Sequence, residues 1–225
     1  ENLERLGIVC GRSLENLTSN FENDFGDEIE LPNLTELQMK YLAVSYCRVR
    51  SQKLKRLSER FLNGSTKDEY FGESLETLEI ESKAERLKIN CPALKSLKLT
   101  NCSANELSVT NGRNIKKLFI SECSDLTNIS EFTSTFLNLR HVFLGNSQKL
   151  SNSDISALAE NCPSLENVEI CGSPLVDFEN LSFNLPKIKY LTFKEGQRFT
   201  FYSVKNISGY KNLRELRLHR CQNLT

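Results

Sequence analysis

Residues 139–171 read LRHVFLGNSQKLSNSDISALAENCPSLENVEIC, and this stretch contains one complete structural unit. Its opening residues predict a short buried strand, because apolar side chains stand at 139, 142 and 144. A short amphipathic helix follows, since one apolar stripe recurs at i, i+3, i+4 and i+7: Ile155, Leu158, Ala159 and Cys162. Ser153 is the expected N-cap, Asp154 lies in the first turn, and Pro163 ends the helix. The unit is therefore a strand, a turn, a helix and a return.

The strand belongs to a phrase, apolar-x-x-apolar-x-apolar, that recurs along the chain. Its copies are Leu3-Leu6-Ile8, Leu34-Leu37-Met39, Leu75-Leu78-Ile80, Leu94-Leu97-Leu99, Ile115-Leu118-Ile120, Leu139-Val142-Leu144, Leu165-Val168-Ile170, Ile188-Leu191-Phe193 and Leu213-Leu216-Leu218. From Leu75 onward, successive copies begin 19, 21, 24, 26, 23 and 25 positions apart. A repeat of that length must stack on its neighbours to bury its apolar face. The sequence therefore predicts an α/β leucine-rich-repeat solenoid: a curved arc with a parallel concave sheet and a convex side of irregular extended segments and short helices.

The units differ in length. Those beginning at Leu75 and Leu94 are too short for a full convex helix, and alternation at 87–89 and 107–109 predicts extended segments there. Later units have room for helices. We interpret 41–73 as one long irregular unit or an insertion, with a mobile loop from Ser65 to Glu73 and a helix over 51–62. The apolar side of that helix would comprise Leu54, Leu57, Phe61 and Leu62.

Composition fits one solenoid of about nine repeats over residues 1–225. The chain is 39% hydrophobic, and its 29 basic residues balance its 29 acidic ones. No net charge attracts it to nucleic acid or membrane, and no apolar stretch is long enough to span a bilayer. The sequence begins inside a phrase and ends as another opens, without the caps that solenoids need. We expect it to be part of a longer protein.

A family resemblance lies in the stretch LSNSDISALAENCPSL at 150–165. It closely resembles the cysteine-containing leucine-rich repeat of F-box proteins, in which a helix runs into Cys-Pro-x-Leu. The motif recurs from Cys91-Pro92-Ala93-Leu94 to Cys102, and 212–225 is similar to the opening of another unit. The resemblance extends from about Ser74 to the end and implies a substrate-recognition arc of a cullin–RING ubiquitin ligase. No F-box is recognised in this sequence. Glu30-Leu31-Pro32 is similar to part of an F-box, but it leads straight into a repeat strand. Plant intracellular immune receptors contain related repeats.

The eight cysteines indicate buried thiols. Cys102, Cys123 and Cys221 each follow the first residue of a phrase by eight positions, whereas Cys91 and Cys162 occupy Asn-Cys-Pro. Such equivalent positions argue against disulfides, and the absence of Cys-x-x-Cys argues against zinc. We therefore expect no metal or other cofactor and a cytoplasmic or nuclear location. Eight Asn-x-Ser/Thr triplets leave a glycosylated extracellular location as the alternative: Asn16, Asn33, Asn63, Asn101, Asn128, Asn180, Asn206 and Asn223.

The concave face is the predicted binding site, because alternate residues of each strand point away from the core. Phe119 and Phe143 occupy the central positions of neighbouring strands and should be direct neighbours. We expect Lys117, His141 and Tyr190 to flank them. Aromatic anchors with a charged rim are typical of protein interfaces. The predicted partner-binding residues are Lys98, Lys117, Phe119, His141, Phe143, Glu169, Tyr190 and Arg217. The alternative is a ladder that only stabilises strand pairing.

A second candidate site is a basic cluster that includes Arg48, Arg50, Lys53 and Arg56. It could bind phosphates or an acidic partner, or be the solvated face of a helix. Catalysis is not expected, because His141 and His219 lie on distant strands and Cys171 has no identified base. The favoured function is a non-catalytic module that binds a protein or peptide, and the resemblance implies an F-box-type arc that reaches the ligase adaptor through a region outside this chain. The alternatives are the sensing arc of an intracellular immune receptor, an N-glycosylated extracellular ectodomain and a nucleic-acid-binding module.

Overall fold

The repeated phrases form neighbouring strands of one parallel sheet. The computed structural model describes residues 3–9, 29–42, 49–65, 69–177, 185–196, 198–221 and 223. In chain order the elements are β1 (Arg5–Val9), β2 (Ile29–Glu30), β3 (Glu36–Leu42), β4 (Val49–Arg50), β5 (Arg56–Ser65), β6 (Glu69–Phe71), β7 (Thr77–Ser82), β8 (Arg86–Asn90), β9 (Ser96–Thr100), β10 (Glu106–Thr110), β11 (Lys117–Ser121), α1 (Ile129–Thr133), β12 (His141–Gly145), α2 (Asn152–Asn161), β13 (Asn167–Cys171), β14 (Tyr190–Lys194), α3 (Phe201–Ile207) and β15 (Glu215–His219). The large sheet has ten strands in the order β1-β3-β5-β7-β9-β11-β12-β13-β14-β15. The predicted parallel sheet is confirmed.

The core lies under one face of this sheet. The phrase residues Leu78, Leu97 and Leu118 stand in register on β7, β9 and β11, and each is at most 2% exposed. Complete burial of such a side chain contributes about 1.5–3 kcal/mol relative to exposure. Because every unit adds its leucines to the same rows, the core is continuous along the stack. The residues between them, at the strand centres, point away from the core, and we call their side the concave face.

The predicted helix over residues 51–62 is wrong. Strand β5 lies there and pairs with β3 and β7 in parallel. Its phrase is Leu54-Leu57-Glu59, in which Glu59 takes the third apolar place, opposite Met39 and Ile80, and is 5% exposed. Because Glu59 is charged, this copy of the phrase does not fit the apolar pattern. Its first residue, Leu54, lies 20 positions after Leu34 and 21 before Leu75.

Two further expectations in this region have different outcomes. The predicted loop at 65–73 contains strand β6 at 69–71, so a loop over the whole range is wrong. With β5 included, the sheet has one strand more than the nine phrases found in the sequence. The assignment of residues 1–225 to one solenoid stays a prediction, because 10–28 and several shorter segments lie outside the described residues.

The convex side changes from extended to helical, as predicted. Strands β6, β8 and β10 form a second parallel sheet, and α1 and α2 replace strands in the next units. The side chain of Asn128 joins the two regions. Its Oδ1 accepts from the Leu107 N–H at 3.1 Å, and its Nδ2 donates to the Leu107 C=O at 3.0 Å. One amide side chain therefore supplies the two hydrogen bonds that the next strand's backbone would offer to β10, and the helix begins at the following residue.

Helix α2 begins two residues earlier than predicted. Its N-cap is Ser151 rather than Ser153. The Asp154 carboxylate accepts from the Ser151 N–H at 2.9 Å and from its hydroxyl at 2.6 Å. This carboxylate satisfies a backbone donor at the start of the helix, which is the reason that the helix begins there. The predicted apolar stripe is confirmed: Ile155, Leu158, Ala159 and Cys162 are buried.

The turns after the strands explain the cysteine positions. The residues at 101, 122, 146, 172 and 220 have φ between 51° and 58°, which redirects the chain toward the core. A thiol or hydroxyl follows each of them and donates to the carbonyl two residues earlier. The distance is 3.6 Å for Cys102, 3.4 Å for Cys123 and 3.2 Å for Ser147. All six described cysteines are free, and Cys10 and Cys47 lie outside the described residues. Within the described ranges, no helix has the length and apolar character to cross a bilayer.

Candidate protein-binding face

Phe119 and Phe143 form a stacked pair on the concave face. They stand in register on β11 and β12, which confirms that they are direct neighbours. Their ring centroids are 4.2 Å apart and their planes differ by 5°. Both side chains are half-buried. Each ring therefore covers one face of the other, and the ring edges are left toward the groove.

Two neighbours hold this stack in place. Lys98 stands in register with Phe119 on the adjacent strand, and its Nζ lies 5.5 Å from the centre of the Phe119 ring. Gly145 leaves room for the other ring, because a Cβ there would lie 2.5 Å from Cε1 of Phe143. A larger residue at 145 would force the ring to move. Lys98 therefore contacts the Phe119 ring, and the missing side chain at Gly145 leaves the space that the Phe143 ring occupies.

Ion pairs flank the stack on both sides. On one side Lys98 Nζ lies 3.5 Å from Glu79 Oε2. On the other, Glu169 stands in register with Phe143, and its Oε1 lies 2.5 Å from Lys194 Nζ. The hydrogen bond to this carboxylate raises the pKa of the Lys194 amine. Both flanks therefore carry charges that are already neutralised.

Lys117 and His141 lie at the opening ends of the same two strands, directly opposite each other. Partial burial and, next, the nearby Lys117 lower the pKa of the His141 imidazole, against an opposing effect of Glu166. Glu166 itself binds Lys189 at 2.8 Å and Arg140 at 3.7 Å. This corner of the groove is therefore positively charged.

The remaining predicted site residues lie farther away. Tyr190, 38% exposed, is on β14, two strands from His141, so it does not flank the stack as expected. Arg217 is on the next strand, and its Nε lies 2.5 Å from Glu215 Oε1. The structure thus brings together Lys98, Lys117, His141 and Glu169 around the two Phe residues, whereas Tyr190 and Arg217 lie on the more distant strands β14 and β15.

The basic cluster is not a concentrated patch among its described members. Arg48 lies outside the described residues, and of Arg50 only the backbone, in β4, is described. Lys53 donates from Nζ to Asn33 Oδ1 at 2.8 Å. Arg56 lies 3.9 Å from Glu36, whose carboxylate also approaches Arg5 at 3.5 Å. Lys53 and Arg56 therefore make separate contacts with their own neighbours.

The structure adds a polar depression that the sequence did not reveal. It lies at the centres of β3, β5, β7 and β9, has a volume of about 140 Å³, and is lined by Gln38, Ser58, Glu59, Arg60, Glu79, Ile80, Lys98 and Thr100. Arg60 pairs with Glu81 at 2.9 Å on its margin. The sequence does not predict this depression, because the helix predicted over 51–62 replaces β5, which lines it. The spacing of Leu54 from Leu34 and Leu75 was the available signal.

The described residues offer little for catalysis or metal binding. No group of three His, Cys, Asp or Glu side chains in these ranges is arranged to hold a metal ion. His141 and His219 lie on β12 and β15, three strands apart, and at opposite ends of those strands; the separation across the sheet alone is roughly 14 Å. Burial and, next, Glu195 raise the pKa of the Cys171 thiol, which opposes formation of the thiolate nucleophile.

Comparison with known proteins gives one informative match. The chain is 33% identical, over 109 residues, to a leucine-rich repeat-containing protein 56 homolog of Trypanosoma brucei brucei. The fold is a leucine-rich-repeat solenoid. The aligned part is 47% of this chain and 14% of that relative, so the chain spans a small share of the relative's length. No protein-family model matches the chain. The leucine-rich-repeat match supports a protein-interaction module in general, without distinguishing the F-box type of repeat from others.

Proposed function

We propose that this leucine-rich-repeat solenoid is a non-catalytic module that binds another protein or a peptide on its concave face, with Phe119 and Phe143 at the centre. The observation that carries the proposal is the stack itself: two aromatic rings stand side by side in a row that is otherwise mainly polar. Tyr, Trp and Phe are enriched where protein surfaces meet. A charged rim around such anchors is typical of an interface whose centre is dry.

A purely structural ladder is the competing explanation. A cross-strand aromatic pair contributes about 0.2–1 kcal/mol to strand pairing. The two explanations make different predictions, because a structural role affects stability alone. A binding role also affects partner affinity, and only on this face of the sheet.

Site-specific photo-crosslinking tests the proposal. A photoreactive side chain replaces Ser96, beside Lys117 on the concave sheet, or Ser108, which is exposed on the convex strand β10. The full-length protein is irradiated in extract from its native source. We expect defined protein adducts from position 96 and none from position 108. Equal labelling from both positions, or adducts from 108 alone, would refute concave binding.

Within this function we propose an F-box-type substrate-recognition arc that reaches a ligase adaptor through a region outside this chain. The support is the repeat that resembles that family: α2 ends at Asn161, the buried Cys162 follows it, and the exposed Pro163 leads into β13. The full-length protein should co-purify with the cullin–RING adaptor. A nucleotide-binding domain elsewhere in the full-length chain, together with no adaptor in the purified material, would favour the immune-receptor alternative.

We also propose a cytoplasmic or nuclear location. The six described cysteines are free thiols, four of them buried. The glycosylation triplet at Asn128 is unsuited to a sugar, because both amide atoms hydrogen-bond to the Leu107 backbone. Endoglycosidase treatment of the native-source protein should leave its mobility unchanged. A mobility shift would support an extracellular ectodomain instead.

A further inference from the structure

Lys117 differs from the other cations of the concave face. Among concave Lys and Arg residues whose side chains the structure describes, the others pair with a carboxylate: Arg5 and Arg56 with Glu36, Arg60 with Glu81, Lys98 with Glu79, Lys194 with Glu169 and Arg217 with Glu215. Lys117 is exposed and forms no ion pair with any described residue. Its cross-strand neighbours on the same row are Ser96 and His141. The row therefore leaves one positive charge available at the edge of the aromatic stack.

The groups around His141 do not neutralise this charge. His141 faces Lys117 across the strands, Arg140 precedes it, and Glu166 is the acidic group nearby. Glu166 is occupied by Lys189 at 2.8 Å, which leaves little of its charge for the groove. A ligand carboxylate would supply the missing partner for Lys117.

The aromatic stack favours the same ligand chemistry. Each ring covers one face of the other, Lys98 lies over the outer face of Phe119, and the outer face of Phe143 is on the side of Glu169. The ring edges are the electropositive part of an aromatic ring. An apolar side chain can pack on these edges, and a neighbouring anion is attracted to them, whereas a cation is not.

We propose that the groove binds an acidic peptide in which an acidic residue and an apolar residue are two positions apart. This inference rests on the proposed concave binding function. Lys117 and Phe119 are two residues apart on one strand face, about 6.6 Å. An extended peptide spaces its own alternate side chains by the same distance. The carboxylate meets Lys117 while the apolar side chain packs on the edges of the Phe119–Phe143 stack.

The charge balance of this face argues for a peptide rather than a nucleic acid. Glu79 and Glu169 pair with Lys98 and Lys194, so these two cations are not available to an anionic ligand. A strand of phosphates binds through several cations in succession. A peptide with one acidic residue near Lys117 needs only one.

Selection from a phage-displayed library of random twelve-residue peptides tests the inference with the immobilised chain. Wild type should enrich acidic-x-apolar sequences, in either direction. Lys117→Gln should lose the acidic preference and keep the apolar one. Lys116→Gln, a change at the adjacent exposed lysine, is the matched control and should behave as wild type. The double variant F119A/F143A should lose both preferences.

Affinity measurements on one enriched peptide complete the test. Fluorescence anisotropy at 0.15 M salt should show about three- to fivefold weaker binding to Lys117→Gln, and the difference should shrink at 1 M salt. Enrichment of apolar peptides without acidic residues, or an acidic preference that survives Lys117→Gln, overturns the inference while the binding function stands. Enrichment that is independent of both Phe residues overturns the binding function as well.

Discussion

The change from Asn128 to Ala tests how the convex side turns from strand to helix. The Asn128 amide makes two hydrogen bonds to the Leu107 backbone, at 3.1 and 3.0 Å. A typical intramolecular hydrogen bond contributes about 0.5–1.5 kcal/mol to stability, and loss of one partner adds a desolvation cost for the other. We therefore expect the free energy of unfolding to fall by about 2–3 kcal/mol.

The assay is thermal and urea unfolding followed by circular dichroism. In a chain of this size, 1 kcal/mol corresponds to about 2–4 °C in Tm, so the expected decrease is about 4–12 °C. Asn138→Ala is the matched control, because its Nδ2 makes a single bond, to the Arg113 C=O at 2.9 Å. Its Tm should fall by about half as much or less. A change below about 0.5 kcal/mol for Asn128→Ala would refute the bridging role of its side chain.

Three further predictions concern single positions. Gly145→Ala should displace the Phe143 ring and cost about 1–3 kcal/mol, and a change below 0.5 kcal/mol with unshifted ring NMR signals would contradict the close approach. Burial raises the pKa of the Cys162 thiol to about 12. Iodoacetamide at pH 8 should therefore leave this thiol unmodified in the folded protein and modify it in urea, as measured by mass spectrometry. Rapid labelling of the native chain would contradict its burial. The folded pKa of His141 is lowered, so its contribution to stability should be lost as pH falls below 6.5, and His141→Gln should flatten the dependence of Tm on pH between 7 and 5; an unchanged slope would contradict the shift.

The rows of leucines could be predicted from sequence because each phrase repeats a buried pattern. The same reasoning failed at β5, where Glu59 occupies a position that elsewhere is apolar. Periodicity over 51–62 then suited a helix as well as a strand. Only the neighbouring strands, which supply hydrogen-bond partners on both sides, decide between the two. The helix start at Ser151 was missed for a related reason, since two serines compete and the reach of Asp154 selects the earlier one.

The candidate site was predicted in part. Counting from the phrase was enough to place Phe119 beside Phe143, because parallel strands keep their register. The distance of Tyr190 from the stack was misjudged, because a complete strand, β13, separates it from β12. The isolation of Lys117 could not be found from sequence. It depends on which carboxylates the other concave cations reach, and contacts such as those of Arg60, Lys98 and Lys194 join neighbouring strands, between residues 19 to 25 positions apart.

The most direct test of the concave binding site is partner affinity measured with two aromatic double variants. F119A/F143A removes the stack, at an expected cost to stability of about 1–2 kcal/mol. F201A/Y202A removes two aromatic side chains that are each 67% exposed on α3, and serves as the matched control. The ligand is the partner protein that crosslinking identifies. F119A/F143A should bind it at least thirtyfold more weakly than wild type, as expected for an interface hot spot, whereas the affinity of the control should fall less than threefold. Equal affinities for wild type and F119A/F143A, with both folded, would contradict the account.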